Sequence, residues 1–276
     1  MVMKTALLLL TLISFLPLMS IAQSEEEEIV FEYAVDLFNE GEFQDAANSF
    51  KKFMKDFPQS ELKGRAHYNL ALCYTELKNY AQAKTTFLEI LNAPYNEKDA
   101  NSLMEPYTLY KHHACRMLAF IALGEKQYEE AGKYINLFDK KYPYQHFCGN
   151  EWAAYHMFKA VMLAKVYAGT NRVAKAIEIL VPHSFENGLA SNERVLDELD
   201  TIVSQNFTKE EIRAELNKAL TSMAVSRRKK ETIVTIKLFE VEVNVDFYWQ
   251  HPEPGKSEVE HYKDMIRSNP FFKKYL

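Results

Sequence analysis

The sequence predicts a mainly α protein of stacked helix hairpins, an α-solenoid, that ends in a small C-terminal β-strand or hairpin element. Three observations carry this expectation. A set of alanine, aromatic and apolar residues recurs four times at constant offsets between Ala34 and Leu180. Clusters of turn-forming residues separate the two helices of each copy. The hydrophobic period then changes from helical to alternating between Thr232 and Trp249.

The chain opens with the layout of a secretory signal. Lys4 is followed by an apolar run from Ala6 to Leu18, and Ser20-Ile21-Ala22 offers a small-x-small cleavage site before Gln23. The run is shorter than the roughly 20 apolar residues a membrane span requires. The expectation is removal of residues 1–22, cleavage after Ala22, and a periplasmic or secreted chain with no membrane span after cleavage. Loss of Lys4 takes the net charge from −5 to −6. A mildly acidic surface gives no electrostatic reason to bind nucleic acid. The run Ser24 to Glu28 reads as a solvated linker whose acids favour the N-terminus of the first helix.

The four copies align on an alanine that opens each second helix: Ala46, Ala83, Ala131 and Ala176. Three residues before it stand Phe43, Tyr80, Tyr128 and Val173, and four after it Phe50, Phe87, Ile135 and Leu180. Twelve before it lie Ala34, Ala71, Ala119 and Ala164, and nine before it Leu37, Tyr74, Ala122 and Tyr167. Small residues belong where two helix backbones cross closely, and larger ones a turn away fill the space to the next hairpin. One hairpin cannot bury its whole apolar face, so copies must stack.

These residues resemble tetratricopeptide repeats, over about Glu27 to Pro182. Pro58 and Pro143 stand where that repeat places a proline. The alanine spacings of 37, 48 and 45 exceed the usual unit of about 34 residues, so insertions lengthen the connections, notably Asn92 to Tyr107. The copies fall at about 27–60, 64–96, 112–145 and 157–182. More narrowly, the run Phe50 to Ser60 followed by Ala66 to Tyr74 is similar to exported envelope tetratricopeptide proteins, of the outer-membrane assembly lipoprotein and Tol-Pal coordinator types. The lipid-bearing Cys of the first type is absent, and the first Cys is Cys73.

The resemblance implies a right-handed superhelix whose first helices line a concave groove for a partner protein or peptide. The partner-binding set it implies is Phe31, Val35, Phe38, Arg65, Tyr68, Asn69, Leu72, Arg116, Phe120 and Lys165. Aromatic anchors and basic residues would suit an extended peptide or an amphipathic helix.

After Pro182 a helical capping extension is expected over residues 183–230. Val195, Leu196, Leu199, Ile202 and Val203 form one stripe, and Thr208 and Glu211 form a capping-box signature. In the segment 231–250, Val241, Val243, Val245 and Phe247 alternate with polar residues, the signature of a half-buried strand. Its parity slips at Leu238-Phe239, so the expectation is an irregular hairpin or a bulged strand. Either it pairs internally or its edge recruits a second chain, which would allow a homodimer. Residues 251–276 read as a short helix boxed by Ser257 and Glu260, then an aromatic tail in which Phe271, Phe272 and Tyr275 dock on the chain itself.

No glycine-rich phosphate loop and no nucleophile-elbow or zincin motif occurs. No catalytic residue, metal ligand or cofactor is assigned, and the expectation is a non-enzymatic scaffold. The alternative is a metal-dependent or thiol enzyme using His112, Cys115, His146 and Cys148, since His112 and Cys115 share one helical face. Cys73 and Cys115 could form a disulfide or remain buried thiols.

Overall fold

A computed structural model describes residues 25–95, 109–146, 148–186, 188–228, 231–245 and 257–276. The expected signal segment, most of the insertion before repeat three, and Phe247 and Trp249 lie outside the described residues. The chain divides into two compact units, Met1–Leu118 and Ala119–Leu276.

The first unit holds α1 (25–39), α2 (Phe43–Asp56), α3 (Lys63–Glu76), α4 (Tyr80–Asn92) and most of α5 (Tyr110–Gly124). The acidic run is not a linker, because α1 already begins at residue 25. Four glutamates at a helix N-terminus favour the unpaired N–H groups there, which draws the run into the helix. Aromatic contacts show that α1 and α2 run antiparallel. Phe38 meets Phe43 near the turn at 5.3 Å, and Phe31 meets Phe53 at 5.5 Å further along. Phe31, Phe50, Phe53 and Phe87 are fully buried and form the bulk of this core.

The second unit continues with α6 (Tyr128–Asn136), which runs on as a π-helical turn Leu137–Lys141, then α7 (Gly149–Gly169) and α8 (Val173–Leu180). After a 3₁₀ turn at Pro182–Phe185 come α9 (Glu193–Asn206), α10 (Lys209–Thr221), the strands β1 (Ala224–Arg228), β2 (Glu231–Leu238) and β3 (Val241–Val245), and finally α11 (Glu258–Arg267) and α12 (Pro270–Tyr275).

One backbone device recurs in all four hairpins. The residue five before each key alanine, Gly41, Lys78, Lys126 or Asn171, has φ of 85°, 57°, 59° or 59°. Its N–H bonds back to Phe38, Thr75, Leu123 or Ala168. The next N–H reaches Leu37, Tyr74, Ala122 or Tyr167, at 2.7–2.9 Å. This pair of bonds around a left-handed residue ends a helix by satisfying its last carbonyls. Only the first copy uses glycine. Lysine in that conformation costs roughly 1–2 kcal/mol, which the two backbone bonds around it offset in the two lysine turns. The four key alanines are all fully buried.

The β element is larger than expected. It is a three-stranded antiparallel sheet in the order β1-β2-β3. The helical extension was expected to run to residue 230, but it stops at Thr221, and Ala224–Arg228 is a strand paired through Val225 and Val234. That segment has no apolar alternation, so only its pairing partner makes it a strand. β2 and β3 form a two-residue hairpin with Leu238 opposite Val241. Phe239 and Glu240 both take positive φ, 49° and 66°, as such a turn requires, although glycine and asparagine usually fill it. Phe239 lies 5.5 Å from the ring of Phe207, and Glu240 pairs with Lys218 and Lys237. These contacts hold the strained turn and explain the slip of parity. Because β2 pairs on both sides, the hairpin does not need a second chain.

Val234, Ile236, Leu238, Val243 and Val245 face inward, and α10 packs on β2. The capping box forms: Thr208 N–H donates to Glu211 at 2.8 Å and Glu211 N–H donates to the Thr208 hydroxyl at 3.2 Å. At α11 only the Ser257 half is made, and Glu260 instead pairs with Lys263. Phe271, Phe272 and Tyr275 are buried. The Tyr275 hydroxyl donates to Asp200 at 2.7 Å, and Arg213 donates to the Tyr275 carbonyl at 3.0 Å, so the tail is tied to α9 and α10.

Candidate functional site

In the first unit, the residues expected to contact a partner from α1, α3 and α5 differ in burial. Phe31 is fully buried against Phe50 and Phe53, with the Arg65 guanidinium 5.3 Å from its ring centre. It is a core side chain, which corrects its assignment to the partner-contacting set. An aromatic ring between two helices gains more by packing against them than by facing a groove. Phe38 is half-buried and occupied by Phe43. Val35, Arg65, Asn69, Leu72 and Arg116 are half-buried and keep part of their surface exposed.

Tyr68, on α3, is surrounded by other rings. Its ring lies 5.9 Å from Phe87, 5.9 Å from His113 and 6.5 Å from Tyr110. Burial pushes its hydroxyl up to about 12, against the opposing pull of the Arg116 charge. It therefore stays a neutral hydrogen-bonding group across the physiological range.

Phe120 and Lys165 belong to the second unit. Phe120 is 58% exposed, a large apolar ring in water. Lys165 pairs with Glu198 of α9 at 2.5 Å, so its charge already has a partner within the chain.

The residues of the enzyme alternative do not build a site. His112 and Cys115 are fully buried. His146 Nδ1 accepts the Cys148 N–H at 3.0 Å, and its ring stacks on Tyr144 at 6.0 Å, so it is spent on shaping its own loop. Among the described residues no three His, Cys, Asp or Glu side chains stand close enough to hold a metal ion. Cys73 is a buried free thiol, so no Cys73–Cys115 disulfide forms. Burial pushes the Cys73 thiol up to about 12, which leaves it protonated and a poor nucleophile.

A polar line escaped the sequence reading. His67 Nδ1 lies 2.6 Å from the Tyr95 hydroxyl, and Nε2 lies 3.2 Å from Glu89. Burial lowers the His67 pKa and pushes Tyr95 up to about 12. The imidazole is therefore neutral, with Tyr95 donating to Nδ1 and Nε2–H donating to Glu89. Its members come from α3, α4 and the residues after α4, far apart in sequence, so no local pattern marks them.

The repeated turns, buried alanines and hairpin packing define a helical-repeat protein. A tetratricopeptide repeat model matches residues 37–105, from the end of α1 to beyond α4, which supports a tetratricopeptide-repeat protein. Such repeats generally mediate protein–protein contacts. No curated protein and no solved structure matches the chain. No described helix is long and apolar enough to cross a membrane.

Proposed function

We propose that this protein is an exported interaction scaffold that holds a partner protein or peptide on the inner faces of its first helices, in cell-envelope assembly or maintenance. The observation that carries the reading is the half-exposed set Val35, Arg65, Asn69, Leu72 and Arg116 on α1, α3 and α5. It mixes apolar contact area with two guanidinium groups over a firm aromatic floor of Phe31 and Tyr68. That combination suits a peptide bearing a carboxylate or a row of backbone carbonyls. Export and the envelope setting rest on the signal-like residues 1–22 and on the resemblance of the first two repeats.

A photo-crosslinking amino acid at Leu72 tests the binding face in intact cells. The expected result is a discrete crosslinked protein that disappears with Arg65→Glu. The same crosslink from Lys84, on a second helix, would place the partner elsewhere and sink the proposal. N-terminal sequencing of the protein recovered from cells tests export, with Gln23 as the expected first residue.

A further inference from the structure

α1 is the first described helix, and its outer face is unlike that of the later first helices. In repeat register Ile29 and Tyr33 are the counterparts of Ala66 and Leu70 on α3 and of Ala114 and Leu118 on α5. Those four are 0%, 5%, 0% and 1% exposed, and α2 packs along α3. Ile29 and Tyr33 are 71% and 60% exposed. Positions that elsewhere bury a neighbouring helix thus carry large apolar side chains in water.

The electrostatics around them are one-sided. Residues 25–40 hold seven acids and no Lys, Arg or His. At 3.6 residues per turn, Glu25 and Asp36 lie within about 40° of Ile29 around the axis, with Glu32 about 60° away. All three are exposed.

We propose that the outer face of α1 docks an amphipathic helix of a partner protein, with an apolar stripe flanked by lysine or arginine. A helix is the matching shape because these are the positions at which the array stacks helix on helix. Charge complementarity selects the flanks. A second copy meeting this face with its own would set acid against acid. Residues 1–24 bring only one basic residue, Lys4, and so cannot neutralise the face. This surface is separate from the inner face proposed for the main partner.

The test uses the full chain and a fluorescent synthetic peptide of about 15 residues, with leucines at i, i+4 and i+7 and lysines on both flanks. A control peptide carries glutamate in place of lysine. Anisotropy should show saturable one-to-one binding of the lysine peptide and none of the control. Ile29→Ser with Tyr33→Ser should weaken binding by roughly tenfold or more, since two apolar anchors are lost. Glu25→Lys with Asp36→Lys should also weaken it, while circular dichroism shows the fold unchanged because all four positions are exposed. Absent binding, or equal binding by the Ile29→Ser/Tyr33→Ser variant, would overturn the proposal. So would a dimer in light scattering that this variant abolishes, since the occupant would then be a second copy.

Discussion

Gly169, the last residue of α7, lies so close to the ring of Tyr128 at the start of α6 that a Cβ on it would overlap the ring. Tyr128 is the aromatic three residues before Ala131 in the third repeat, so the close approach joins the third hairpin to the fourth.

Gly169→Ala is therefore expected to destabilise the protein by about 1 kcal/mol, although alanine favours a helix over glycine by a similar amount. In a Tyr128→Ala background the clash is gone and the same substitution should become neutral or stabilising. Chemical denaturation of the two single variants and the double variant reads this reversal. Additive effects would show that the ring and the glycine do not meet.

Ala83 is fully buried where α4 meets α3. Ala83→Leu adds volume at a crossing with no room, and should cost about 1–3 kcal/mol or more. An unchanged melting temperature would mean that Ala83 is not at the crossing.

Proline scanning of β3 should discriminate by register. In a two-residue hairpin the flanking pair Leu238–Val241 is hydrogen-bonded, and hydrogen-bonded pairs alternate, so Ile236–Val243 is bonded and Lys237–Glu242 is not. Val243→Pro removes a ladder bond from a buried position and should melt the sheet. Glu242→Pro loses no ladder N–H and should be tolerated far better. The circular dichroism signal of strand measures both, and equal losses would contradict the register.

Alkaline stability should follow two half-buried tyrosines. Tyr68 and Tyr95 are raised in the folded chain from 10.0 to about 12. A raised acid contributes stability below its unfolded pKa, and that stability is lost as pH rises between about 10 and about 12. Tyr68→Phe should flatten this limb of the denaturation profile. At the acid end the sign is opposite in pH. The lowered His67 pKa means the unfolded chain takes up protons first, so stability falls as pH drops below 6.5. His67→Gln should reduce that loss, and an unaltered acid limb would show that His67 is not desolvated.

The repeat architecture was legible because it depends on local spacing. An alanine at each crossing and an aromatic or apolar residue one turn earlier are needed in every copy, so they recur and can be aligned. The capping box at Thr208 and Glu211 was readable for the same reason, since both partners lie within one turn. The candidate site was legible only as a row of positions. Which of them stay exposed depends on what packs beside them, and so Phe31 joins the core while Lys165 is taken by Glu198. Nothing in the spacing of His67, Glu89 and Tyr95 reveals that they meet.

By itself, then, the sequence determined the helical repeats, their crossings and the strand period from Val241 to Val245. Each is set by side chains within a few residues of one another or by a repeated short pattern. Tertiary structure alone decided that Ala224–Arg228 is a strand and that Phe239-Glu240 turns without glycine. In those places the local preference is weak or adverse, and contacts from distant residues, Val234 across the sheet and Phe207 beneath the turn, outweigh it.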